Sequence, residues 1–416
     1  MPEQNRHTGA LTVLTVLFFM WGLITSLNDI LVPHLKAVFT LNYVQASLVQ
    51  FSFFTAYFVM SFPAGRLVER LGYKRGIIVG LVTAGVGCLL FLPAAGAQSY
   101  PAFLAALFIL ASGITLLQVA ANPYVNVLGS PQSAASRLNM TQAFNSLGTT
   151  VGPLVGSVTI LAIGAGAASE LGSAAAEADS VKMPYLVLAA LLFAIAVLIG
   201  LFRLPHISHG EPSDGAAAGR QSLLAHRHLV YGVVGIFAYV GAEVAIGSYL
   251  VSLMGQPDIA GLPGEQASKF LSLYWGGAMV GRFIGSVLMR SIRPNRILAF
   301  NAVTNAVLLA VAIGVGGHVA MWALILIGLF NSIMFPTIFS LALEGLGNLT
   351  SKGSGLLCMA IVGGALVPLV QGFFADHIGL LQSFAIPLVC YLYICWFGAR
   401  GYRADEARVT RVEGVR

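Results

Sequence analysis

The sequence predicts an all-α polytopic membrane protein, with twelve transmembrane helices in two pseudo-symmetric six-helix bundles and both termini cytoplasmic. Three observations predict it. Of 416 residues, 57% are hydrophobic and only 9% charged, whereas a soluble domain carries about 25% charged residues. Such a chain cannot cover its surface with charge and needs lipid as solvent. Apolar runs of bilayer-spanning length recur along it, and features of the first half return in the second at a nearly constant offset.

The runs are about 20 residues each, long enough to cross a bilayer. They fall near 10–33, 45–65, 76–96, 102–127, 138–164, 183–203, 229–254, 268–289, 296–316, 319–344, 353–375 and 383–400. The edges of the fifth and sixth are soft, because 161–180 is rich in Ala and Gly and carries Glu170, Glu177 and Asp179. The 47 glycines suit helices that approach closely in lipid. One long polar connection, 204–228, reads as a flexible linker. The expected organisation is therefore an N-terminal bundle over 1–203, a cytoplasmic linker over 204–228 and a C-terminal bundle over 229–416.

Positive charge sets the orientation. With both ends inside, 19 of the 22 basic residues are cytoplasmic, and only Lys36, Lys182 and Lys269 are not. The net charge of +6 is thus a matter of topology, with some attraction to anionic lipid, and gives no reason to expect nucleic acid as a partner. The first run is too long for the core of a signal peptide, and no small-residue cleavage site follows it. Cys88, Cys358, Cys390 and Cys395 lie in apolar stretches without metal-ligand spacing and read as free thiols.

The repeat appears in three pairings. Gly65-Arg66 and Gly281-Arg282 stand 216 apart, Gln118 and Pro123 are spaced like Asn331 and Pro336 at 213, and Asp29 and Glu243 stand 214 apart. Near-equal offsets across the chain indicate duplication, as in transporters built from two parallel six-helix halves.

Asp29 and Glu243 are the two most informative residues. Each is a carboxylate in the first apolar run of its half. A charge at membrane depth costs roughly 2.5–3.5 kcal/mol or more, so one that persists there faces a water-filled path or an ion. Two such acids in matching helices are a transporter's arrangement. A structural acid held by a helix end or an amide is the other reading of Asp29.

The segment Gly65-Arg-Leu-Val-Glu-Arg-Leu-Gly-Tyr-Lys-Arg75 is the strongest motif. Its glycines allow a tight turn, its basic residues stay in cytoplasmic water, and Glu69 can pair with an Arg and hold a helix end in one conformation. Gly65, Arg66, Glu69 and Arg70, with Gly281 and Arg282 in the second copy, are the expected conformational-gate loops.

Here the chain resembles the major facilitator superfamily, whose loop between its second and third helices reads Gly-x-Leu-x-Asp-Arg-x-Gly-Arg-Lys-Arg. Glu69 stands for the Asp and Tyr73 for the first of the basic group. Leu27-Asn28-Asp29-Ile30-Leu31, Gln118 to Val125, Arg137 to Ser146, Tyr239 to Val244 and Phe335 to Ser340 look like the fucose permease and glucose/galactose permease branch. That resemblance implies cation-coupled uptake of a monosaccharide (glucose, galactose, fucose or N-acetylglucosamine class) across the bacterial inner membrane. It implies proton coupling at Asp29, with H+ or Na+ as the co-transported ion and no other cofactor. Gln118 departs from fucose permease, which carries a second coupling carboxylate there. An amide cannot titrate but both donates to and accepts from hydroxyls. Glu243 stands where fucose permease has an amide, so the charge looks exchanged between the two positions.

The same resemblance makes Gln142 and Asn145, one helical face of the fifth span, substrate contacts. Amides suit sugars because hydroxyls are donors and acceptors at once; bonding between helices is their other use. Asn122 precedes Pro123, whose missing N–H frees a carbonyl, and reads as structural or binding. Tyr239 shares a face with Glu243. Asn28 joins the expected binding set, with Asn331, Asn301, Asn305, Trp275 and Gln371 as weaker members; Trp275 could stack on a sugar's C–H face, though a membrane aromatic more often packs.

The alternative function is an exporter of a drug or small metabolite with the same fold, against which stand several amides on the cavity-facing helices. No HExxH, DxxD-type phosphate site or Gly-x-Ser-x-Gly points to an enzyme, and no segment is long enough for a soluble sensor domain. The expected partners are the sugar and the bilayer, with the chain acting as a monomer.

Overall fold

The structure, a computed structural model, describes residues 9–26, 43–97, 99–168, 182–202, 204–205 and 223–403. Asn28, Asp29 and most of the 204–228 connection lie outside them. Twelve long helices run through the described residues and overlap the twelve predicted spans: α1 (Gly9–Ser26), α2 (Tyr43–Leu71), α3 (Tyr73–Gly96), α4 (Tyr100–Val127), α5 (Ala134–Ala168), α6 (Lys182–Leu201), α7 (Arg227–Met254), α8 (Gly264–Leu288), α9 (Pro294–Val315), α10 (Gly317–Leu343), α11 (Gly347–Ile378) and α12 (Leu380–Gly401). Ten of them are long and apolar enough to cross a membrane. The other two, α5 and α8, carry more small and polar residues.

The chain divides into two compact units. One holds Met1–Leu128 and Phe144–Ile207, the other Gly129–Ala143 and Ser208–Arg416. The division cuts α5, whose first turns group with the second unit. In the first unit α3 packs on α4 and α6, and Phe91 of α3 stacks on Tyr185 of α6 with ring centroids 3.9 Å apart. In the second unit α7 packs against α10, α11 and α12, while α8 and α9 both pack on α10.

Glycine sets the closest crossings, and it repeats. A Cβ on Gly148 of α5 would lie 2.2 Å from the Phe19 carbonyl oxygen of α1. One on Gly363 of α11 would lie 2.2 Å from that of Phe237 in α7. The two glycines are 215 apart, so the α1–α5 and α7–α11 crossings are built alike.

Two expectations change here. The turn after α2 is not at Gly65: α2 continues to Leu71, and the connection to α3 is Gly72 alone, with φ +81°. Nothing in Arg66–Leu71 breaks a helix, and only Gly72 tolerates the left-handed conformation that the reversal requires. Gly65, Arg66, Glu69 and Arg70 are therefore helical. Gly281 and Arg282 likewise lie inside α8, ahead of its end at Leu288, and not in a loop. A Cβ on Gly281 would meet the Leu329 carbonyl oxygen at 2.3 Å, so this glycine lets α8 lie against α10. Of the cysteines, all four are free thiols; Cys88 and Cys358 are buried, Cys390 and Cys395 half-buried.

Candidate functional site

The polar chemistry of the second unit converges on Asn331. Pro336 explains why α10 is interrupted there. Lacking an N–H, it cannot bond to the carbonyl four residues back, and the helix breaks at Ser332–Ile333 between Gly317–Asn331 and Met334–Leu343. The orphaned Ser332 carbonyl is taken by Arg282 of α8, whose Nε donates to it at 3.0 Å. Arg282 also donates through Nη1 to the Gln142 carbonyl of α5 at 3.4 Å. It was expected among the cytoplasmic charges; instead it is half-buried within a helix, because the broken α10 presents it with a carbonyl.

Just before the break, Asn331 is fully buried and holds three partners. Its Oδ1 accepts from Asn305 Nδ2 of α9 at 2.9 Å and from the Tyr391 hydroxyl of α12 at 2.6 Å. Its Nδ2 donates to the Tyr274 hydroxyl of α8 at 2.8 Å. Tyr274 in turn donates to the backbone carbonyl of Glu243 in α7 at 3.2 Å. One turn before Glu243, the Tyr239 hydroxyl donates to its Oε1 at 2.8 Å. Arg282 lies near enough for its charge to act on both Tyr239 and Glu243. Five helices thus meet in one network, with one carboxylate, one cation, three phenols and two amides. Tyr274, Tyr391 and the position of Arg282 were not anticipated.

The first unit contains a matching element. Gln118 of α4 donates from Nε2 to the Tyr57 hydroxyl of α2 at 2.8 Å. Tyr57 and Tyr274 are 217 apart, and Gln118 and Asn331 are 213 apart, so an amide-to-tyrosine bond recurs at equivalent places in the two halves. Carrying the repeat offset from the amides to the preceding pair of spans would have found both tyrosines. Gln118 Oε1 is buried without a hydrogen-bond partner among the described residues, leaving an acceptor for a hydroxyl. Asn122 is fully buried one turn on.

The other expected residues divide. Asn145 donates from Nδ2 to the Phe18 carbonyl of α1 at 2.9 Å, beside the close approach of Gly22 to its own backbone, so one of its donors holds α1 on α5. Ser26 donates to the Thr149 carbonyl at 3.0 Å and fixes α1 three residues before Asp29. Gln142 is buried on the first part of α5, grouped with the second unit. Asn301 donates to the Phe330 carbonyl at 2.9 Å and sits one turn away from the Asn331 network. Trp275 is 45% exposed, lying edge-on to Tyr274 and over Gly247 of α7. Gln371 is buried, with Nε2 donating to Ser383 at 3.3 Å. Arg66 lies over the Phe62 ring at 4.4 Å.

Apolar helices of spanning length, with a carboxylate, an arginine and amides gathered in one buried network, define a multi-pass membrane protein. The chain belongs to the major facilitator superfamily, whose model matches residues 13–361. It is 55% identical over 404 residues to a glucose/galactose transporter of Brucella abortus biovar 1 (strain 9-941), covering 97% of this chain and 96% of that one. It is 37% identical over 400 residues to the L-fucose-proton symporter of Escherichia coli (strain K12), covering 92% and 91%. Among solved structures it matches the major facilitator transporter FucP in the outward conformation, with TM-score 0.87, 35% identity and coverage of 95% and 99%. These relatives are transporters, not enzymes.

Proposed function

We propose that this chain is a secondary active transporter that imports a monosaccharide of the glucose, galactose, fucose or N-acetylglucosamine class together with a cation. The bundles 1–203 and 229–416, joined by 204–228, would give alternating access to the sugar. The observation that carries the reading is Glu243, a carboxylate held by Tyr239 and tied through Tyr274 to the Asn331 amide network. The names of the glucose/galactose and fucose relatives support the substrate class.

Asp29 and Glu243 are the coupling acids in this reading. The ion in this reading is a proton rather than Na+: the Escherichia coli fucose relative is named a proton symporter, and a carboxylate with one phenol donor keeps a lone pair to accept one. Asn28, Gln118, Asn122, Gln142, Asn145, Tyr239, Trp275, Asn301 and Asn331 form the sugar-recognition set. Within it, Gln118, whose Oε1 has no hydrogen-bond partner among the described residues, is the main hydroxyl contact, while Asn145, Asn301 and Asn331 spend donors on helix packing. Gly65, Arg66, Glu69 and Arg70, helical in the last turns of α2, and Gly281 and Arg282, inside α8, would act on the access cycle from within helices rather than from loops.

Purified protein in proteoliposomes, given labelled sugars under an imposed pH or Na+ gradient, tests this directly. Accumulation under the pH gradient alone is expected. Accumulation only with Na+ would replace the ion, and none under either gradient would reject coupled sugar import.

A further inference from the structure

The α8–α9 region differs from its counterpart in the first unit. There, α2 and α3 are joined by the single residue Gly72 and pack on each other. In the second unit the connection runs from Met289 to Arg293. The longer connection wedges α8 and α9 apart: both pack on α10 yet scarcely touch one another. What remains is a groove of about 430 Å³, floored by Ser332 and Ile333 of α10.

Its walls are apolar and open. Ile284 and Leu288 of α8, Ile292 of the connection and Phe300 of α9 line it, and each is exposed. Of its few polar groups, the Asn301 Nδ2 already donates to the Phe330 carbonyl and the Ser332 carbonyl accepts from Arg282, so the groove is predominantly apolar.

The mouth is the opposite. Arg296 lines it, and Arg290 and Arg293 stand on the same connection, all three exposed. The sequence from Gln266 to Leu343 contains no acidic residue. Among the described residues these three arginines make neither an ion pair nor a side-chain hydrogen bond. A guanidinium binds phosphate oxygens in a forked, paired geometry. Near a bilayer surface, unpaired basic side chains draw anionic headgroups.

We infer that the α8–α9 groove is a binding site for one anionic phospholipid, with an acyl chain between the helices and the phosphate on Arg293 and Arg296. The charge at the mouth and the apolar slot behind it are complementary to the two ends of that molecule, whereas a water-soluble anion would leave the slot unused. The occupant would rest on the α10 break, beside the residues that Arg282 ties to the Asn331 network.

Native mass spectrometry of the full-length protein in detergent tests the site, titrated with phosphatidylglycerol, with phosphatidylcholine of the same chains, and with inorganic phosphate. One phosphatidylglycerol should be retained about tenfold more tightly than phosphatidylcholine. That preference should vanish in Arg293→Gln/Arg296→Gln, and retention should also fall in Leu288→Trp, which fills the groove. Ile284→Phe serves as a second filling variant should Leu288→Trp fail to fold. Equal retention of both lipids overturns the headgroup assignment, and displacement of phosphatidylglycerol by inorganic phosphate overturns the role of the groove. Binding unchanged in the arginine and filling variants overturns the site.

Discussion

Asn331 is asked to satisfy three neighbours at once, and it can because an amide has both an acceptor and donors. Replacing it with Ala removes the acceptor of both the Tyr391 hydroxyl and the Asn305 amide in a dry interior. An unsatisfied buried group costs about 1–3 kcal/mol in water-soluble proteins, with smaller values in membranes, where the unfolded reference state finds other partners. Asn331→Ala should therefore lower stability by about 2 kcal/mol, and Asn301→Ala, which loses one bond to a carbonyl, by about 1 kcal/mol or less. Thermal unfolding in detergent gives the order, and equal losses would deny Asn331 its central place. The two tyrosines sharpen the comparison. Tyr57→Phe removes the acceptor of Gln118, whereas Tyr274→Phe removes both the acceptor of Asn331 and the donor to the Glu243 carbonyl. Tyr274→Phe should destabilise the more and should raise the sugar KM, measured as initial uptake in proteoliposomes.

Between elements, carbonyl chemistry decides more than side-chain pairing. Pro336 frees the Ser332 carbonyl and Arg282 takes it, so the two residues form one device. Arg282→Ala should cost about 1–3 kcal/mol by orphaning that carbonyl. Pro336→Ala restores an N–H in the same helix, so the loss on removing Arg282 should shrink in that background. A double-mutant cycle on thermal unfolding checks this, and strict additivity would break the link. Crossings held by glycine give a second test. Gly148→Ala and Gly363→Ala each drive a methyl against a carbonyl oxygen and should each cost about 1–3 kcal/mol. Gly264→Ala, at the start of α8 with nothing within 4 Å of the new methyl, should be close to neutral. Melting temperatures of the three variants decide it, and loss at Gly264 equal to the others would show that packing is not the cause.

At the scale of the whole molecule, the helices were legible because lipid demands long apolar runs, and a run of twenty such residues leaves few alternatives. The less apolar α5 and α8 were still found, since the runs on either side fixed their places. The amides of the candidate site were legible too, because Gln118, Asn305 and Asn331 stand out against Leu, Val and Ala. Their tyrosine partners were not: a tyrosine in an apolar run reads equally as packing. The turn at Gly72 and the position of Arg282 were misread for a related reason. A basic residue near a predicted helix end looks solvated, and nothing in its type records that a proline fifty-four residues on will offer it a carbonyl.

Coupling makes its strongest demand on the molecule as a whole, because two acids 214 residues apart, one in each half of the repeat, would serve one step. Glu243→Gln keeps an oxygen for the Tyr239 hydroxyl, so the network should survive while the proton acceptor is lost. Asp29→Asn is the same change in the other half. If both acids serve one coupled step, each variant should lose gradient-driven accumulation and keep counterflow exchange, which needs sugar movement without net proton movement. If Glu243 only positions the sugar, Glu243→Gln should instead weaken sugar affinity and still accumulate under a pH gradient. Measuring accumulation ratio and exchange rate in the same vesicles separates these outcomes. Accumulation undiminished in Asp29→Asn would remove the basis for coupling at Asp29, whatever Glu243 does.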